Sequence, residues 1–143
     1  MTGFYDVAVI GAGPAGLMAA GRALEEGAKV LLLDSLQIPS KKIYITGKGR
    51  CNVTNDTDPK TVLENVPRNP RFLWSALSSF PPSGAKEFFT SRGVPLKTER
   101  GRRVFPASDR AADIARCLGE YARGAEKKIS AVRSLILEDG RCR

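Results

Sequence analysis

The chain has 143 residues, of which 42% are apolar, a composition that suits one soluble globular domain and leaves no room for a second full one. Its charge is +8 and uneven: residues 1–40 hold 2 basic and 4 acidic side chains, residues 41–143 hold 21 and 11. Histidine is absent, which excludes a Ser-His-Asp triad and histidine-ligated metals and leaves Cys, Lys, Tyr, carboxylates or a bound cofactor to carry any chemistry.

In chain order, Val7 to Ile10 reads as a buried parallel strand. It runs into Gly11-Ala12-Gly13-Pro14-Ala15-Gly16, with a helix over Leu17 to Glu26 and a second strand over Val30 to Leu33 that ends in Asp34. Strand, glycine turn, helix, strand and acid in this order form a dinucleotide fingerprint. Gly11 permits the tight turn, Gly13 lets the backbone approach a pyrophosphate, and Gly16 lets helix and strand pack closely. Phosphate oxygens would sit on the N–H groups that open the helix, where the helix dipole also favours negative charge. Asp34 would accept from ribose hydroxyls and repel a 2′-phosphate, so the site suits FAD or NAD rather than NADP. The fingerprint does not separate those two.

From Ser35 to Asp58 the apolar periodicity stops, and a structureless polar stretch of this length is expected to bind something. A helix is expected over Pro70 to Phe80, with Phe72, Trp74 and Phe80 packed in the core rather than forming a base-stacking platform; Pro81-Pro82 ends it. Ser83 is expected to cap a helix running to Arg92, with Gly93 closing it. Val94 to Val104 reads as two strands turning near Arg100-Gly101, where Arg102 and Arg103 could steer RNA or a carboxylate, or simply face solvent. Ser108 is expected to cap a helix with Ala111, Ala115, Leu118 and Ala122 as its apolar stripe. Ile129 to Leu137 reads as a strand and Glu138-Asp139-Gly140 as a hairpin turn. Only three residues follow that turn, and the later parallel strands of a doubly wound sheet are missing, so the chain reads as the N-terminal part of a larger protein.

No apolar run approaches the roughly 18–20 residues that span a bilayer. The start lacks the charged region of a secretory signal, so the expected location is cytoplasmic, with no membrane partner. Cys51, Cys117 and Cys142 are odd in number and widely spaced, which points to reduced thiols and no metal site. Cys117, inside a helix, is expected to pack in the core.

A second motif runs Lys41-Lys42-Ile43-Tyr44-Ile45-Thr46-Gly47-Lys48-Gly49-Arg50-Cys51-Asn52-Val53-Thr54-Asn55. Gly47 and Gly49 allow successive N–H groups to point one way, a nest for anionic or carbonyl oxygens, while Lys42 and Arg50 add charge. A loop of this composition can also bond merely to itself. Taken with Gly101-Arg102-Arg103-Val104-Phe105-Pro106-Ala107-Ser108-Asp109-Arg110-Ala111, the motif resembles the BaiN/RdsA-type flavoprotein family. Members of that family reduce uridine to dihydrouridine in ribosomal RNA, or act as bile-acid dehydro-reductases or aminoacetone oxidases.

The resemblance implies an α/β Rossmann-like FAD-binding fold, a parallel sheet with flanking helices, incomplete at its C-terminus. Residues 1–143 would be the N-terminal part of that domain, with the closing strands and a second, substrate domain absent. It implies FAD as cofactor, NADH or NADPH as reductant, and ribosomal RNA or an anionic small molecule as substrate. Gly11, Ala12, Gly13, Pro14, Ala15 and Gly16 would hold the pyrophosphate and Asp34 the adenosine ribose. Lys42, Gly47, Gly49, Arg50, Cys51 and Asn52 would lie along the ribityl chain toward the flavin, and the backbone of Val132, on the late strand, would meet adenine. Cys51 is the candidate proton donor for reduction of a conjugated C=C bond, its pKa lowered by the neighbouring Arg50; the other reading is a small buried packing residue. Tyr44 would contact flavin or substrate. A non-catalytic nucleotide- or RNA-binding fragment, using the basic 41–143 region, is the alternative.

Overall fold

The computed structural model describes residues 4–37 and 40–138, and the backbone of 141–142. The chain divides into two units, one up to Lys42 and again from Leu118 on, the other from Ile43 to Cys117.

The first unit is built on a parallel sheet. Strands β1 (Val7–Ile10), β2 (Val30–Asp34) and β6 (Glu126–Ile129) lie in the order β1-β2-β6, with Val7 opposite Val30 and Leu31 opposite Glu126. Helix α1 (Pro14–Glu25) returns the chain from β1 to β2. Val30 and Leu32 of the middle strand are buried, as is Val9 of β1. Burial of each such side chain contributes about 1.5–3 kcal/mol. β1 is parallel as expected but not buried throughout, because alternate residues point to opposite faces. Ala8 and Ile10 point to a face left exposed among the described residues.

Beyond α1, helix α5 (Ala111–Tyr121) carries the expected stripe, with Ala111, Ala115, Leu118 and Ala122 all buried, and Cys117 buried beside them. Its C-terminal end meets α1 where Gly21 leaves room for the Tyr121 ring, whose hydroxyl donates to Glu25 at 2.7 Å. The late strand is placed differently from expectation. Pairing with β2 takes Glu126–Ile129, and residues 130–136 form no element. Short strands β7 (Leu137–Glu138) and β8 (Arg141–Cys142) then pair antiparallel, so the hairpin does have its second strand; Asp139 and Gly140 of the turn lie outside the described residues.

The second unit contains an antiparallel sheet ordered β3-β5-β4, from Thr54–Asn55, Arg103–Pro106 and Leu96–Glu99. The β4–β5 hairpin turns through Arg100–Arg102, as the sequence predicts. Val104, Phe105 and Pro106 of the middle strand are fully buried. Three helices accompany this sheet: α2 (Pro59–Glu64), capped by the Asp58 carboxylate on the Thr61 N–H, α3 (Trp74–Ser79) and α4 (Pro82–Ser91). In α4 the Phe88 and Phe89 rings meet edge to face at 5.1 Å.

Three helix-level expectations change. Pro82, at the first position of α4, fits there because its missing N–H is not needed, which moves Ser83 inside the helix and away from the cap. Ser108 lies ahead of α5 and caps nothing within it; its hydroxyl donates to Asp113 and accepts from the Arg110 N–H. Phe72, Trp74 and Phe80 are exposed, not core, since Pro70 starts a tight 3-10 turn (Pro70–Leu73) that breaks the helical stripe before Trp74. Gly93 does close α4 in a left-handed conformation, its N–H donating to Thr90 and that of Val94 to Phe89.

Two glycine substitutions test the α1–α5 packing with opposite signs. Gly21→Ala would place Cβ 2.1 Å from the Tyr121 ring and is expected to cost about 1–3 kcal/mol in urea unfolding. Gly119→Ala, within α5 and facing open space, is expected to stabilise by about 0.5–1 kcal/mol.

Candidate functional site

In the first unit the glycine turn forms where the fingerprint places it. Gly11 sits at φ +99°, a conformation that a side chain rarely adopts, and its N–H donates to Leu33 at 2.7 Å. A Cβ on Gly16 would lie 1.8 Å from the Gly11 carbonyl oxygen and 3.4 Å from Val9, so α1 packs on β1 by direct backbone contact. Gly13 caps α1 in an extended conformation, and a Cβ there would meet nothing within 4 Å. Among the described residues no packing contact therefore requires glycine at position 13, and the backbone there is open to approach. Pro14 opens the helix with no acidic residue in the first turn, and the N–H groups of Ala15 and Gly16 have no carbonyl four residues back within the helix. These features fit a diphosphate.

Asp34 ends β2 beside this turn. One carboxylate oxygen accepts from the Ala12 N–H at 2.5 Å and the other from the Leu36 N–H at 2.7 Å. Each oxygen keeps a further lone pair, so the acid is oriented by the backbone and can still accept from a ribose hydroxyl. Ser40 is a component that the periodicity did not reveal. It is buried, at φ +59°, and both its N–H (2.9 Å) and its hydroxyl (3.2 Å) donate to the Ala12 carbonyl. Ala12 is thus held from both sides, by Asp34 on its N–H and by Ser40 on its carbonyl. Nothing in a single serine within a polar run signals this. Lys42 is exposed, and Val132 is exposed and outside any strand, not on the late strand as expected.

In the second unit the glycine loop is ordered by its own bonds, not structureless. Lys41–Gly49 winds as 3-10 turns broken at Thr46–Lys48, and the chain runs on to Cys51 and Asn52. The Thr46 hydroxyl donates to Ile43, the Cys51 N–H to Thr46 and the Arg50 N–H to Gly47. Gly47, Lys48, Gly49 and Cys51 all have positive φ. A Cβ at Gly47 would meet Asn52 N and the Phe105 ring, each at 2.9 Å, so this glycine is needed for close approach.

Arg50 does not leave its charge free as expected. Its guanidinium stacks 4.1 Å from the centre of Phe105 and donates to Glu99 at 2.8 and 3.0 Å and to Asp109 at 3.3 Å. Lys97 joins the same carboxylates, at 2.5 Å from Asp109 and 3.5 Å from Glu99. The Arg-Val-Phe-Pro stretch and the glycine loop therefore belong together physically: Phe105 is the floor and Asp109 a clamp. Cys51 is buried, and desolvation pushes its thiol pKa up, with a hydrogen bond from Thr46 opposing. The expected lowering by Arg50 is absent because that guanidinium is turned to Glu99 and Asp109. Tyr44 is 44% exposed. Among the described residues, no group of three His, Cys, Asp or Glu side chains could hold a metal, and no helix is long and apolar enough to cross a membrane.

The clamp has a pH signature. Lys97, by hydrogen bonding, and then Arg50 hold the Asp109 carboxyl below its ordinary value of 3.8. A depressed carboxyl stabilises the fold above its unfolded pKa and loses that contribution as pH falls through the folded value. Asp109→Asn, which keeps a side chain tolerant of φ +57°, is expected to lower the urea midpoint at pH 7 and to differ much less from the parent near pH 3.

The model of the HI0933-like protein Rossmann domain matches residues 5–137. The chain is 34% identical over 125 residues to the 3-dehydro-bile acid delta(4,6)-reductase of Clostridium scindens, covering 86% of this chain and 30% of that protein. It is 42% identical over 77 residues to the ribosomal RNA dihydrouridine synthase of Escherichia coli, covering 53% and 18%. The chain thus spans less than a third of either relative's length. Its fold resembles the crystal structure of Thermovibrio ammonificans THI4, with a TM-score of 0.59 at 15% identity over 97% of this chain and 45% of that one, a likeness of fold alone. A match that extends from before β1 into β7, on a chain with a parallel sheet, a glycine turn and a terminal acid, is decisive: this chain belongs to the HI0933-like protein Rossmann domain family.

Proposed function

We propose that this chain is the FAD-binding part of an NAD(P)H-dependent oxidoreductase that reduces an activated C=C bond, in uridine of ribosomal RNA or in a small-molecule enone. The observation that carries the reading is the open space at Gly13 at the start of α1, where no packing contact among the described residues requires glycine. Two relatives support the reaction class: one is named a reductase, and the other makes dihydrouridine, which is uridine with one C=C bond reduced. FAD would supply the hydride chemistry.

The chain's own residues bind and orient. The backbone of Gly11 to Gly16 takes the diphosphate and Asp34 the adenosine ribose, with Ser40 fixing the turn between them. Lys42 and the Gly47–Asn52 loop serve the ribityl and flavin portions, Arg50 through its backbone because its side chain is committed to Glu99 and Asp109. Val132 offers its backbone to adenine. Cys51, its pKa raised by burial, holds its proton at neutral pH, which is the form a proton donor needs. Residues 1–143 are read as the N-terminal part of the FAD domain, in a cytoplasmic protein whose closing strands and substrate domain lie elsewhere in the full protein.

Fluorescence titration of FAD separates binding from folding. The 143-residue chain is expected to quench FAD saturably with a Kd weaker than about 1 μM. Gly13→Ala should weaken binding at least about tenfold while changing unfolding free energy by less than about 1 kcal/mol. Equal affinity of the two proteins would place the diphosphate elsewhere.

A further inference from the structure

Beyond its internal bonds, the Gly47–Asn52 loop is tied to the antiparallel sheet of its own unit. At its start Phe105 lies against Gly47, and past its end the Val53 N–H donates to the Val104 carbonyl at 2.8 Å. Between these two ties the chain passes through Lys48, Gly49 and Cys51, at φ +58°, +85° and +64°. The side chain of Arg50 anchors this middle stretch, stacked on Phe105 and bonded to Glu99 and Asp109.

The two carboxylates are not equivalent. Both Glu99 oxygens accept from Arg50 Nη1, at 2.8 and 3.0 Å. Asp109 accepts from the same nitrogen at 3.3 Å and gives its shorter contact, 2.5 Å, to Lys97. Lys97 lies farther from Glu99, at 3.5 Å. Asp109 is thus chiefly the partner of Lys97, and Glu99 that of Arg50. Glu99 closes β4 with Arg103 opposite it on β5, so the sheet fixes its backbone up to the residue where the hairpin bends. The Arg50 and Glu99 side chains are 31% and 28% exposed, and a pair covered to this degree is less screened than one on open surface. With Arg50 drawn onto the sheet, Lys48 and Gly49 stay exposed.

We propose that Glu99 is a positioning residue for the flavin end of the ligand, on the reading that this loop serves the ribityl and flavin portions. By holding Arg50 against Phe105, it keeps Lys48, Gly49 and Cys51 in the left-handed conformations in which the loop receives those portions. Ion pairs with this much solvent contact add little to folding stability. Releasing the loop, in contrast, returns conformational freedom that binding must then remove.

Two measurements on the 143-residue chain test this role. In the free chain, Glu99→Ala is expected to speed amide hydrogen exchange at Gly49, Arg50 and Cys51 at least about tenfold, with Val9 and Leu32 of the parallel sheet exchanging as in the parent. In calorimetric titrations the parent is expected to bind FAD at least about tenfold more tightly than ADP, which lacks the ribityl and flavin portions. Glu99→Ala should lose most of that advantage while its ADP affinity stays within about twofold of the parent's. Unchanged loop exchange in Glu99→Ala overturns the proposal, as does an FAD advantage that survives the substitution. Loss of ADP binding together with FAD binding also overturns it, because that pattern marks a general structural role. A parent that binds FAD no more tightly than ADP overturns the placing of the flavin portion on the loop, and the role of Glu99 falls with it.

Discussion

The contact between the Gly11 carbonyl and the Cα of Gly16 sets the geometry of the whole first unit. Since a Cβ at position 16 would lie 1.8 Å from that oxygen, α1 begins directly against the end of β1. This close start brings the helix N-terminus to the carboxyl end of the sheet, where open α/β sheets place their ligands. It also fixes what surrounds the turn. β2 runs parallel beside β1 and delivers Asp34 to the Ala12 N–H, and the returning chain delivers Ser40 to the Ala12 carbonyl. A turn built of glycine, alanine and proline has few side chains of its own with which to hold itself. Here two residues from outside the turn supply the hydrogen bonds.

The second glycine loop solves the same problem with ionic and aromatic contacts. Four residues between Gly47 and Cys51 have positive φ, and local bonds alone give such a segment little rigidity. Phe105, fully buried on the middle strand of the antiparallel sheet, lies against Gly47 and Arg50, and Glu99, Lys97 and Asp109 complete a network around the guanidinium. Ion pairs this exposed contribute little individually, and their role is to select one loop conformation. The same arrangement explains why Cys51 behaves as a buried thiol: the cation next to it in sequence is spent on carboxylates.

Family membership and site geometry bear on different parts of the function. The family relatives include proteins named for reduction of a bile acid and for making dihydrouridine, two substrates with little in common beyond a reducible bond. Fold and family therefore do not name the substrate, which belongs to the site and not to the scaffold.

Read alone, the residues determined the β1–turn–α1–β2 order, the acid at its end, the hairpin near Arg100 and the apolar stripe of α5, because each depends on local spacing: period two, period 3.6, or glycine at a fixed offset. The paired motifs that mark the family were legible too, though not the reason they occur together, which is the stacking of Arg50 on Phe105 across more than fifty residues. Tertiary structure decided the rest. It placed the third parallel strand at Glu126–Ile129, where pairing with β2 overrides the apolar pattern that begins at Ile129. It exposed Phe72 and Trp74, turned the Arg50 side chain from a loop charge expected along the ribityl chain into a strut, and made Ser40 part of the glycine turn. These outcomes depend on which groups meet across long sequence separations, and no local window carries that information.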